Sequence, residues 1–256
     1  MELGLRDRVY IVSGGSRGLG LASAQSLVEE GARVLIVSRD EQAVDSAVAD
    51  LGTSAIGLAA DLAGEDTAAR AVSHAIERFG RVDGGLISVG GPPAGSVLST
   101  SDDQWRAAFD SVFLGSLRLA RAVCAGVASC GLSATGAIAW VLSTSAVEVF
   151  PGLTTSNGLR PGLAMLIKDL ADEVGPTGMR VVGLLPGRIG TDRLARLDEA
   201  TGDAAASRAR AEAVIPLRRY GEPTEFGRVA AFALSPAASY VTGTLIAVDG
   251  GSTRHP

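Results

Sequence analysis

Short apolar, β-branched runs alternate with longer amphipathic stretches along the whole chain. RVYIV (8–12), RVLIV (33–37), SAIGLAADL (54–62), GGLISVG (84–90), AIAWVL (137–142), RVVGLL (180–185) and TLIAVDGG (244–251) read as seven strands. They lack strong alternation of apolar and polar positions, as expected of strands covered on both faces of a parallel sheet. Helical patterns fill the intervals: from the glycine turn after residue 12 to Gly31, about 40–51, up to Phe79, about 101–129, about 155–174 and about 224–234. This order predicts a single α/β domain over residues 1–256, doubly wound, with ligands at the carboxyl ends of the strands. Only the stretch around 189–216 is charged and less regular.

Composition narrows the function classes. Many glycines and alanines with few aromatics suit helices packed closely on a sheet, and a formal charge of −5 argues against a nucleic-acid binder. Cys124 and Cys130 have neither CxxC spacing nor histidine neighbours, so they read as reduced thiols of a cytoplasmic protein. His74 and His255 stand alone, no HExxH pattern occurs, and no metal site is expected. The N-terminal stretch shows no signal-peptide apolar core. Ala122–Val147 is uncharged and long enough to span a bilayer, but it contains ASCGLSATG, which reads as a loop. A helix end followed by a buried strand explains it better, and no membrane contact is expected.

Chemistry first surfaces after the first strand, in SGGSRGLG. Gly14, Gly18 and Gly20 permit a tight turn and let a diphosphate approach the N-terminus of the next helix. At the end of the second strand, where an NAD site usually places an acid, the chain reads Ser38-Arg39. Asp40 is one place late for that role. Arg17, within the turn, adds a second guanidinium. Two arginines and a hydroxyl suit a 2′-phosphate, which favours NADP(H), against the plainer alternative of two surface arginines in a chain whose only lysine is Lys168.

With these pieces in order, the chain resembles the short-chain dehydrogenase/reductase family along its length, in the manner of 3-oxoacyl-ACP reductases. The resemblance rests on SGGSRGLG, on ADL (60–62), on LLPGRIGT and on RRYGEPTEFGRVAAFALSPAASYVTGTLIAVDGG. It implies a Rossmann-type doubly wound seven-stranded parallel sheet. It also implies cofactor contacts from Gly14, Ser16, Arg17, Gly18, Leu19, Ser38, Arg39, Asp61, Leu62, Ser88 and Gly90, and from Arg160, Pro186, Gly187, Ile189 and Thr191. A homotetramer or homodimer built from the helices near 101–129 and 155–174 is implied as well, with His255 approaching a neighbouring subunit's site.

The family's chemistry uses a Tyr that donates a proton, a Lys four residues later, a Ser thirteen residues before the Tyr, and an Asn on the preceding long helix. Here Ser143 matches the Ser, but the Tyr position is Ser156, the Lys position is Arg160 and the Asn position is Val112. The run after the fourth strand reads ISVG, followed by GPPAG. No shift of alignment helps, because Tyr10, Tyr220 and Tyr240 are the only tyrosines. An alcohol is a far weaker acid than a phenol, and arginine does not pass protons, although it can fork onto ribose hydroxyls.

The altered stretch, GLTTSNGLRPGL (152–163), offers Thr154, Thr155 and Ser156 as helix caps and sets Ser156 and Arg160 on one helix face. Pro161 predicts a kink or a late start of that helix, tilting Arg160 toward the cofactor. Three functions stay open on these residues, each with a small-molecule ligand. The first is an NADP(H)-dependent carbonyl reductase in which Ser143 and Ser156 polarise the carbonyl and water supplies the proton. The second is a conjugate (enone) reductase whose enolate the same hydroxyls hold, and the third a cofactor-binding protein without turnover. The 189–216 stretch takes the place of the family's substrate lid. Its Arg193, Arg196, Arg208 and Arg210, with Arg188 just before it, read more simply as a solvated helix face than as a site for an acidic substrate.

Overall fold

The computed structural model describes residues 2–91 and 94–254. Seven parallel strands form one sheet: β1 (Val9–Ser13), β2 (Arg33–Ser38), β3 (Ala55–Ala59), β4 (Gly84–Ser88), β5 (Ala137–Val141), β6 (Arg180–Pro186) and β7 (Thr244–Val248). Their spatial order is β3-β2-β1-β4-β5-β6-β7, so the strand order reverses between β1 and β4. Nine α-helices join them among the described residues: α1 (Gly18–Glu29), α2 (Glu41–Leu51), α3 (Thr67–Phe79), α4 (Asp102–Ala108), α5 (Gly115–Ser129), α6 (Thr154–Val174), α7 (Asp192–Glu199), α8 (Ala204–Val214) and α9 (Pro223–Leu234).

The absence of alternation has the expected cause. All five residues of β1 and of β5 are buried, since helices cover both faces. One core packs Ile11, Leu35, Ile138, Trp140 and Val181 against α3, α5 and α6. The other packs Tyr10, Val12, Ile36 and Leu184 against α1 and α9. Each large aliphatic side chain enclosed there contributes on the order of 2 kcal/mol. At the amino end of the sheet the buried Asp83 carboxylate accepts from Val9 N at 2.9 Å and from Arg81 at 2.6 and 2.8 Å, which pins β1 to the chain entering β4.

The strand and helix expectations hold within a few residues, β3 being shorter than 54–62. Ala122–Val147 divides into the end of α5, a turn and buried β5, as the loop residues implied. Four local expectations are corrected. The 101–129 helix is interrupted by a widened π turn at Phe109–Leu114, where Ser116 Oγ donates to Val112 O (2.6 Å) and Phe113 O (3.0 Å). The less regular stretch is two helices, α7 and α8. Helix α6 begins at Thr154 after Leu153, without a side-chain cap, so Thr154, Thr155 and Ser156 lie inside it rather than capping it. Nor does it start late: Pro161 is its eighth residue, just past the second turn, where the Asn157 carbonyl forfeits a backbone donor.

Candidate active site

The cofactor turn is built by close approach of backbones. Gly14 has φ +58, and a Cβ there would sit 2.7 Å from Ser88 O; at Gly20 it would sit 2.2 Å from Gly14 O. Only glycine fits either place, and the chain folds back tightly enough to present the start of α1 at the β1/β4 crevice. Helix α1 carries no side-chain cap and no acid in its first turn, leaving its N–H groups and dipole for an anion. Ser13, which the sequence pattern did not single out, clamps the turn to β4: its hydroxyl donates to Ser88 O at 2.9 Å and accepts from Ser88 N at 3.0 Å.

Around the crevice, Ser16 is buried and donates to Ser38 Oγ at 2.9 Å. Arg17 and Arg39 are both exposed; Arg17 pairs with Asp40 at 2.9 Å, and Arg39 lies 3.9 Å from Asp61. Asp40 caps α2 through Ala43 N, and Asp61 accepts from Ala63 N at 2.9 Å. Leu62 is buried, and Gly90 borders open space. Beyond β6, Gly187 packs against Asp249, Ile189 is buried in the core, and Thr191 caps α7 through Leu194 N. Thr191 also lies beside Gly18, so the segment after β6 meets the start of α1. These placements fit a dinucleotide lying along the carboxyl ends of the strands.

The catalytic positions are rearranged. Ser143 follows β5 and accepts from Ser145 N at 3.1 Å, with no hydroxyl contact to Ser156. The partner of Ser156 is Ser145, at 2.8 Å between the two oxygens. Arg160 Nε donates to Ser156 Oγ at 3.1 Å and Nη1 to Val141 O at 3.0 Å. Arg160 thus turns toward β5, and only Nη2 has no hydrogen-bond partner among the described residues. Ser145 escaped the sequence reading because no family position marked it; its spacing of two from Ser143 was the available signal. Burial, and then the charge of Arg193, brings Arg160 down to about 10. Val112 fills the Asn position as a buried core residue, so no side-chain amide stands there.

Of the lid arginines, Arg196, Arg208 and Arg210 are exposed, as expected of a solvated face. Arg208 lies over the Tyr220 ring at 4.9 Å, and Arg188 joins the buried Asp198 at 3.4 Å. Asp198 also accepts from Ser207 (2.7 Å) and Tyr220 (3.0 Å), which fastens α7 to α8 around a cavity of about 520 Å³. Arg193 departs from that pattern: it is half-buried, and its Nη1 donates to Gly91 O at 2.6 Å. It therefore reaches from the β6 side across the end of β5 to the loop after β4. Pro92, Pro93 and His255 lie outside the described residues.

A doubly wound parallel sheet with a glycine turn at its switch point defines a dinucleotide-binding class of α/β protein. Comparison with known proteins makes the class specific. Residues 14–253 match the family model described as enoyl-(acyl carrier protein) reductase. The bovine (Bos taurus) dehydrogenase/reductase SDR family member 4 is 31% identical over 255 residues, covering 98% of this chain and 89% of its own. The crystal structure of L-sorbose reductase from Gluconobacter frateurii complexed with NADPH and L-sorbose superposes with TM-score 0.90 at 27% identity, covering all of both chains. That of a single-substitution variant of actinorhodin polyketide ketoreductase with NADPH gives 0.91 at 26%, covering 97% of this chain and 98% of the other. The chain belongs to the short-chain dehydrogenase/reductase family of oxidoreductases.

Proposed function

We propose that the protein is an NADP(H)-dependent reductase of a small-molecule carbonyl, working through hydroxyls and a guanidinium in place of Tyr and Lys. The observation that carries this reading is the chain Ser145–Ser156–Arg160 beside Ser143 at the carboxyl end of β5. NADPH, when bound, supplies the hydride. Ser156 is polarised from behind by the Arg160 N–H, which frees its own proton, or that of Ser145, to point at a substrate oxygen. Oxygen charge developing above β5 meets these donors and the positive potential of Arg160, which has no counter-carboxylate within 4 Å among the described residues. The final proton comes from water, since an aliphatic alcohol is far too weak an acid and Arg160 already spends N–H groups on Ser156 Oγ and Val141 O.

NADP(H) is favoured over NAD(H) because Arg17 and Arg39 flank Ser38, with exposed guanidinium groups able to exchange their carboxylate partners for a phosphate. Replacing both with Ala is expected to cut the NADPH-over-NADH preference in binding by about 30-fold, read by cofactor fluorescence titration. Assembly as a homodimer or homotetramer is supported by the exposed Phe109 of the π turn and Met165 of α6, and light scattering tests it.

A second reading, hydride delivery to an α,β-unsaturated carbonyl, is favoured by the description of the matching family model and by the lack of a phenol. An enolate asks for oxyanion stabilisation more than for an acid. NADPH oxidation followed with ketones and enones side by side decides between them. Turnover of ketones supports the first reading, turnover of enones alone replaces it with the second, and tight NADPH binding without any turnover leaves a binding protein.

A further inference from the structure

Beyond β7 the chain crosses the carboxyl end of the sheet toward β5. Asp249 builds the turn: its carboxylate accepts from Gly251 N at 2.9 Å, Ser252 Oγ at 3.2 Å and Thr253 N at 2.7 Å, and from the Thr253 hydroxyl. Burial works against that charge, but the bonds from Thr253, Gly251 and Ser252 outweigh it and hold Asp249 below its ordinary pKa. Gly250 and Gly251, at φ +66 and +82, let the turn lie against Ile215 and Pro216 just past α8, where a Cβ would meet them at 2.9 and 3.1 Å.

The tail that leaves this turn arrives at a fixed place. Arg254 N donates to Glu148 Oε1 at 2.7 Å, and its Nη2 reaches the carbonyl of Val214, the last residue of α8, at 3.4 Å. Glu148 is half-buried and belongs to the same short turn as the hydroxyls of the site. Its N–H and that of Val147 each donate to Thr144 O at 3.0 Å, and Ala146 N donates to Ser143 O at 2.9 Å. Ser145, between them, carries the hydroxyl that meets Ser156. A short bond from an N–H to a carboxylate therefore anchors one end of the turn whose other end presents Ser143 and Ser145.

We propose that Glu148 is a positioning residue for the reduction: by accepting from the Arg254 backbone it fastens the turn after β5 to the C-terminal tail and sets Ser145 against Ser156. The proposal rests on the reductase reading of the same site. Among the described residues Glu148 bonds to none of the three hydroxyls, so it acts through the turn. A displacement of about 1 Å at a reacting site costs on the order of 100-fold in rate, and a loosened turn costs part of that.

Glu148→Ala and Glu148→Gln separate the bond from the charge, because the Gln amide oxygen still accepts from Arg254 N. With NADPH and ethyl acetoacetate as probe, Glu148→Ala is expected to lose about tenfold in kcat, while KM and NADPH affinity stay within about twofold. Glu148→Gln is expected to keep kcat within about threefold of wild type. Amide hydrogen exchange, which needs no turnover, is expected to quicken by about tenfold over residues 144–149 in the Ala variant alone. Wild-type exchange in Glu148→Ala overturns the proposal, and so does wild-type kcat there. A Gln variant as impaired as the Ala variant overturns it too, since the charge and not the bond then counts. Quickened exchange that Gln restores, in a protein that reduces neither ethyl acetoacetate nor a wider ketone panel, supports the fastening while overturning the reductase reading beneath it.

Discussion

Arg180 and Arg160 are equally buried, 7% and 6% exposed, and burial lowers the pKa of both, yet they sit at opposite ends of the sheet. At the amino end, the guanidinium of Arg180 is filled by carbonyls: Ala233 O and Ser235 O at 2.8 Å, and Val241 O at 3.3 Å. The first two terminate α9, where the helix dipole also favours a cation. At the carboxyl end, Arg160 has one carbonyl and one hydroxyl that is itself shared, while the charge of another arginine acts on each of the two, Arg193 on Arg160 and Arg8 on Arg180. The first arrangement is complete without a ligand. The second leaves Nη2 without a hydrogen-bond partner among the described residues, and that contrast separates a structural arginine from a candidate functional one of the same burial.

The contrast can be broken in order of effect. Arg180→Met should cost about 3 kcal/mol in urea unfolding, because it strands buried carbonyls, and should leave cofactor affinity unchanged. Arg160→Met should do the reverse: a loss of about 100-fold in kcat/KM, with stability altered by less than about 1 kcal/mol, since the burial penalty leaves with the charge. Comparable destabilisation by both would remove the distinction.

Titration gives a third test. Arg160 is held at about 10, so the folded chain releases its proton before the unfolded chain does. Below that pH both states carry the proton and the burial penalty stands in full. Above about 10 the unfolded chain binds more protons, and this contribution turns toward stabilising the fold as pH rises. Activity runs the other way: kcat/KM should fall above about pH 10, and Arg193→Gln should move the midpoint upward by removing the repulsion. A midpoint unchanged in that variant would separate the two arginines electrostatically. The smallest effect is expected at Thr155, whose buried hydroxyl has no partner among the described residues. Thr155→Val should stabilise the protein by about 1 kcal/mol without moving the pH profile.

The fold was legible because its signals are local and redundant. Each strand is a continuous apolar run, each helix has its own period and stop, and their alternation admits few topologies. The cofactor turn was legible for a related reason: Gly14 and Gly20 stand where a Cβ would strike another backbone. Side-chain pairing was less so. Ser143 and Ser156 are thirteen residues apart in a familiar spacing, but the hydroxyl that reaches Ser156 belongs to Ser145, a consequence of how the turn after β5 aims successive residues. Pro161 promised a disturbed helix start, and the packing of α6 on the sheet carried the helix through it.

By itself the sequence determined the doubly wound sheet, the glycine turn and the loss of the phenol and the ammonium, since each depends on residue type and spacing alone. Only the tertiary structure decided that Ser145 joins Ser156, that Arg160 turns inward to β5, and that Arg193 leaves the solvated face of the lid. Those outcomes depend on contacts between residues 11 to 102 positions apart, where burial and charge choose among side-chain directions that local pattern leaves equal.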